Sequence, residues 1–205
     1  MGDRSQRRIS TRTPRNTVLV IAEGHTERIY FRGLRQWKSS VKIDAPNSRP
    51  TDALNLVKFC IGQMDARDID VEGGDLAICV FDIEGNAESN LKRALKLASE
   101  NRINIAMTNP CFELWYYLHF SDITRQVTSK DVQDKLAKYI PDYSKTKDYC
   151  QLLESNRPNA LLRAEKLSGP RSSDRNDVKI PANPGTSMHI TIHRIEELVK
   201  RNDAI

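Results

Sequence analysis

Two apolar runs constrain this chain more than anything else in it. Val18-Leu19-Val20-Ile21-Ala22 and Leu76-Ala77-Ile78-Cys79-Val80-Phe81 are apolar at both alternating positions. Successive strand side chains project to opposite faces, so a run with no polar face must be covered on both sides. That is the situation of a parallel sheet held between helices. The surrounding pattern agrees. Strands are predicted at 17–22, 41–45, 76–81 and 103–107, with helices at 26–38, 51–68 and 88–101 between them. Tyr30, Leu34 and Trp37 form a stripe on the first helix, and Leu91, Ala94, Leu95 and Ala98 form one on the third. Gly73-Gly74 breaks the chain before the third strand. The expected fold class is α/β: a mostly parallel sheet with flanking helices, joined by right-handed crossovers.

The pattern becomes helical after residue 108. Asn109-Pro110 reads as an N-cap followed by proline at the first helical position, opening a helix over 111–120. Further helices are expected at 129–139, 145–154, 158–167 and 186–201, and the polar stretch 168–184 is expected to be a loop. Three regions follow: a basic arm at 1–16, an α/β core at 17–108, and a helical region packed on the core at 109–205. The arm carries Arg4, Arg7, Arg8, Arg12 and Arg15 against Asp3, with too little apolar content to offset its ordering entropy. It reads either as an arm along nucleic-acid phosphates or as a solvated tail.

Composition excludes some classes. At 39% hydrophobic the 205-residue chain can bury a core, yet no apolar stretch nears the ~18 residues of a membrane span. No secretory signal is visible at the N-terminus. Cys60, Cys79, Cys111 and Cys150 are scattered without zinc-ligand spacing, which fits a reduced, cytoplasmic protein.

Both runs end in acid. Glu23-Gly24 follows the first, and Asp82-Ile83-Glu84 follows the second. Ligand sites of open α/β sheets lie outside the carboxyl ends of the strands. Residues i and i+2 share a side, so Asp82 and Glu84 are expected to point together, with Glu23 on a strand about 5 Å away. Two like charges 4 Å apart repel by ~1 kcal/mol in water and ~4 kcal/mol at an effective dielectric of 20. A cation would offset that repulsion, and an all-carboxylate set suits Mg²⁺ or Mn²⁺. Glu23, Asp82 and Glu84 are the expected metal ligands, with Glu23 alternatively a general acid or base. Glu27, a turn later, supports the site or favours a helix dipole. Glu113 is either a fourth acid of the crevice or a first-turn glutamate of the same kind. His25 suits phosphate contact or proton transfer, while His119 reads as a core histidine. Lys145, Lys147, Arg157, Arg163, Arg171 and Arg175, interspersed with Tyr139, Tyr143 and Tyr149, form either a strand-binding surface or a solvated one. Of these, Lys145, Lys147, Arg171 and Arg175 are the expected nucleic-acid contacts, together with His25.

Glu-Gly after a first strand and Asp-x-Glu after a later one resemble the TOPRIM domain of topoisomerases, primases and nucleases. The stretch from Ile21 to Phe31 (IAEGHTERIYF) resembles the opening motif of RloB-like proteins. The family's central signature is matched by Thr108 to Phe120 (TNPCFELWYYLHF). Tyr139 to Lys145 (YIPDYSK) and Asn183 to His189 (NPGTSMH) resemble its later motifs, so the likeness covers essentially everything after the arm. It implies a defence-associated protein, linked to restriction or abortive infection and often accompanied by an ATPase. A TOPRIM core further implies Mg²⁺-dependent cleavage of DNA or RNA phosphodiesters, with Asp82, Glu84, Glu23, Glu27 and Glu113 as the catalytic set. Glu84 and the following Gly85 depart from the family's pattern. That departure keeps open an alternative, a non-catalytic subunit that binds nucleic acid or regulates the ATPase.

Overall fold

The computed structural model describes residues 15–34, 40–168 and 179–204. The arm at 1–14, the end of the first predicted helix with Trp37, and Arg171 and Arg175 lie outside the described residues.

A five-stranded sheet of order β2-β1-β3-β4-β5 forms the centre. Its strands are β1 (Thr17–Ala22), β2 (Lys42–Asp44), β3 (Leu76–Asp82), β4 (Asn104–Asn109) and β5 (Gly185–Thr186). The first four are parallel, and β5 runs antiparallel to β4. Helices α1 (His25–Leu34), α2 (Ala53–Asp65) and α3 (Glu88–Glu100) alternate with them. After β4 come α4 (Glu113–Leu118), α5 (Ser129–Leu136), α6 (Cys150–Glu154), α7 (Arg157–Ser168) and α8 (Met188–Asp203). Among the described residues no helix is long and apolar enough to cross a membrane.

The apolar runs do what their pattern demands. Val18, Val20 and Ala22 of β1 enter one core with residues of α1, α4 and α8, while Leu19 and Ile21 enter a second core with residues of α2 and α3. Each face of the sheet is thus roofed by helices. All four cysteines are buried free thiols.

Helix α4 lies at the middle of the first core, with every residue from Glu113 to Leu118 buried. Trp115 and Tyr30 stand edge to face at 6.3 Å, and Tyr30 meets Phe112 at 5.8 Å. His119 is buried against Trp115, its Nδ1 2.9 Å from the Trp115 carbonyl oxygen. Desolvation pulls its pKa down to about 4, as expected of a core histidine. Trp115→Ala should cost about 3–5 kcal/mol of unfolding free energy in a urea titration, because the hole cannot close around a fully enclosed indole.

Four expectations are corrected. Asn109 ends β4 and does not cap a helix; its amide donates to the Pro181 carbonyl oxygen at 3.0 Å, and α4 starts at Glu113. The segment 145–149 precedes α6 and is not helical; at its two ends the Tyr149 hydroxyl accepts from the Ser144 N–H and the Asp148 carboxylate from the Cys150 N–H. The stripe on α5 ends at Leu136, before the predicted 139. Thr186 belongs to β5, so the C-terminal region returns a strand to the sheet. Thr186 Oγ1 lies 3.0 Å from both Thr108 Oγ1 and the Met107 carbonyl oxygen, and the Met107 N–H donates to Ser187 Oγ at 2.8 Å. Two residues make too short a strand for periodicity to reveal.

The preceding Asn183 bridges both backbone groups of Val127, accepting from its N–H at 3.1 Å and donating to its oxygen at 2.8 Å. The Asn-Pro-x-Thr stretch is therefore a clamp on the sheet edge.

Candidate active site

The carboxyl ends of β1 and β3 are adjacent, with Ala22 paired to Val80. The Glu23 N–H donates to the Val80 oxygen at 3.0 Å, and the Ile83 N–H to the Thr108 oxygen at 2.9 Å. These bonds carry the ladder one residue past each strand and fix where the acids emerge. Asn86 ties the end of β3 to the start of α2, donating to the Asp82 oxygen at 2.9 Å and accepting from the Ala53 N–H at 2.9 Å.

Four carboxyl groups meet here. Glu23 and Asp82 are half-buried, whereas Glu27 and Glu113 are buried at 5% and 2% exposure. Burial, then Glu27, Glu113 and Glu23, push the Asp82 carboxyl up to about 9. Burial, with Glu113 and Glu23 adding to it, raises Glu27 to about 7. Glu23 is raised by burial and by Asp52, partly offset by a hydrogen bond from the Asp82 backbone. At neutral pH this set holds protons that isolated carboxylates would release. Glu23 Oε2 and Asp82 Oδ1 are buried and have no hydrogen-bond partner.

Gly24 lets this happen. A Cβ there would come within 2.5 Å of Glu27 Oε2, so only a residue without one leaves that carboxyl its place.

One cation enters the cluster from the protein. Lys145 Nζ lies 3.2 Å from Glu113 Oε1, and the Tyr143 hydroxyl donates to the same oxygen at 3.2 Å. Lys145 acts against the upward shifts of both Asp82 and Glu27. Desolvation is the largest single effect and opposes its charge, but Glu113, Cys111 and Asp82 together outweigh it and raise its pKa. The Lys145 side chain as a whole is 61% exposed.

The predicted residues divide accordingly. Glu23, Asp82, Glu27 and Glu113 come together. Glu84 does not stand beside Asp82: β3 ends at Asp82, the chain turns through Gly85 at φ +87°, and the exposed Glu84 accepts from the Ser129 hydroxyl on α5. The period-two argument stops applying once the strand has ended, and Gly85 supplies the left-handed backbone of that turn. Among the described residues, no three His, Cys, Asp or Glu side chains are gathered closely enough to hold a metal ion by themselves. His25 is exposed at the first residue of α1, and Lys147 is exposed beyond Lys145. Gly24 lies within a quoted motif without an assigned role, and Tyr143 is expected only as an aromatic companion of the basic surface; its place two residues before Lys145 is the signal for its contact with Glu113.

Comparison with known proteins returns one likeness. The family model described as RloB-like protein matches residues 18–195. No curated protein and no solved structure matches the chain. With that match running from β1 into α8, the chain belongs to the RloB-like protein family.

Proposed function

We propose that this protein is a Mg²⁺-dependent nuclease that hydrolyses phosphodiester bonds of DNA or RNA through a TOPRIM-like site, in the defence role the family likeness suggests. The observation that carries the reading is the pair of buried, unpartnered oxygens, Glu23 Oε2 and Asp82 Oδ1, on adjacent strand ends. Buried polar atoms are nearly always satisfied, so two on neighbouring carboxylates point to a positive partner. Mg²⁺ is commonly held by one or two carboxylates, with substrate phosphate and water supplying the rest. Two carboxylate donors fit that habit better than they fit a closed all-protein cage, and Mn²⁺ accepts the same donors. When bound, the ion neutralises phosphate charge and makes water more acidic.

The chain's own residues do the remainder. Glu23 and Asp82 would hold the ion, and Glu27, poised near neutrality, accepts a proton from water or returns one to the leaving oxygen. Glu113 is anchored by Tyr143 and Lys145, and the exposed face of Lys145 offers charge to the incoming strand. Cleavage of DNA and RNA panels with and without Mg²⁺ tests this; absence of Mg²⁺-dependent products on every substrate refutes it. Glu84→Gln should lower cleavage by less than about tenfold, because its carboxylate reaches Ser129 instead of the cluster. A loss as large as that of a cluster acid would place Glu84 back at the metal.

A second reading, a non-catalytic nucleic-acid-binding or regulatory subunit of an ATPase-containing complex, draws on the lack of a three-donor group among the described residues. It predicts a Mg²⁺-induced rise in melting temperature or nucleic-acid binding without cleavage.

A further inference from the structure

Arg28, next to Glu27 on α1, is 8% exposed, and its Nε is buried with no hydrogen-bond partner. A guanidinium carries five donors and cannot shed its charge under ordinary conditions. Enclosing its Nε without an acceptor is costly and demands an explanation. Its neighbours do not supply one. Burial, then Arg32, weakens its hold on the proton, and Glu27 acts in the opposite sense without bonding to it. Arg32, one turn on along the same face, shows what a structural arginine does here. It donates to the Ala45 oxygen at 3.0 Å and 2.7 Å. Arg28 has no such acceptor among the described residues.

Position gives the unused donors a direction. Ala45 directly follows β2, so the Arg28–Arg32 face of α1 looks toward the β2 side of the sheet. The loop after β2 folds back over β1, where the Ser48 hydroxyl donates to the Ala22 oxygen. At the carboxyl edge Glu23 follows β1 and Asp82 ends β3, while Lys145 packs against the start of α1, its carbonyl oxygen accepting from Thr26 Oγ1 at 3.4 Å and its Nζ reaching Glu113. A polyanion drawn to the carboxylates therefore meets two cations, Lys145 at Glu113 and Arg28 on the β2 side.

We propose that Arg28 binds a backbone phosphate of the nucleic acid, flanking the one brought to the carboxylates. This rests on the nuclease reading and names the phosphate contact on its β2 side. A phosphodiester presents two oxygens to the guanidinium fork, the geometry for which arginine is suited and lysine is not.

The test measures binding of a short oligonucleotide in an Asp82→Asn background, from about 50 to about 200 mM salt. Arg28→Met retains the apolar stem and removes the charge, while Arg28→Lys retains the charge and removes the fork. Arg28→Met should weaken binding about ten- to a hundredfold. It should also flatten the dependence of log K on log salt by about 0.7 for a single strand or 0.9 for a duplex. Arg28→Lys should restore the slope with only part of the affinity. Without ligand, Arg28→Met should melt at or above the parent, since an unpaired buried charge has been removed. An unchanged slope overturns the assignment, as does a lowered melting temperature with unchanged binding. If the unmodified chain cuts nucleic acid while Arg28→Met keeps the parent slope, the nuclease reading survives and the Arg28 contact does not. If the slope falls but the unmodified chain cuts nothing, the contact survives and the nuclease reading does not.

Discussion

Asp82→Asn should reduce Mg²⁺-dependent cleavage by about a thousandfold, the several kcal/mol that a metal contributes to phosphate charge stabilisation. Asparagine preserves the shape at the end of β3 and loses the anionic oxygen. The same variant should be more stable than the parent when metal is absent. In the parent fold the Asp82 carboxyl holds its proton up to about pH 9, whereas the unfolded chain releases it near pH 3.8. Between those values the folded state binds more protons, so rising pH favours unfolding. The neutral amide escapes that penalty. Urea midpoints of parent and variant should therefore coincide near pH 4 and separate toward pH 8, with the variant higher. A variant that is inactive and also less stable at pH 8 would mean the substitution had damaged the fold, and the assignment would lose its support.

Stability of the metal-free parent should fall as pH rises from about 5 to about 8, where many proteins are flat. Two groups set the window. Glu27 titrates from 4.5 in the unfolded chain to about 7 in the fold, and Asp82 from 3.8 to about 9. Each contributes at most about 1.4 kcal/mol per pH unit while it titrates. For a chain of this size that is roughly 3–5 °C of melting temperature per unit. Mg²⁺ should reverse the trend, since deprotonated carboxylates bind it better; at a hundredfold excess over Kd it adds about 2.7 kcal/mol. The Mg²⁺ shift should be larger at pH 8 than at pH 5, persist in Glu84→Gln and vanish in Glu23→Gln. Differential scanning fluorimetry with chelator and Mg²⁺ across that range decides it. A melting temperature that rises with pH in chelator would contradict the cluster's electrostatics.

The sheet was legible because its strands are apolar on both faces. Nothing but a two-sided helical cover accommodates β1 and β3, and their parallel register then puts Glu23 beside the end of β3. Glu113 was readable only as one of two alternatives, because a first-turn glutamate of a helix looks the same whether it faces solvent or a crevice. Its burial depends on α4 lying inside the core, a tertiary fact. Glu84 misled because a two-residue period was extended past the last hydrogen-bonded residue of β3. Arg28 gave no sequence signal at all: its isolation follows from what α1 faces. Strand β5 escaped because its two residues are recruited by Thr108 and Met107 across a long sequence separation.

That late strand also sets the order in which a working protein can exist. All four carboxyl groups have been synthesised once residue 113 is added, but Lys145 and β5 come later. Until Lys145 arrives the acids lack their internal cation, and until Gly185 and Thr186 arrive β4 presents an open ladder to any passing strand. Domains fold as units while synthesis runs from the N-terminus. A nascent or truncated chain would accordingly carry the acids without the clamp, a sticky fragment that quality control can recognise.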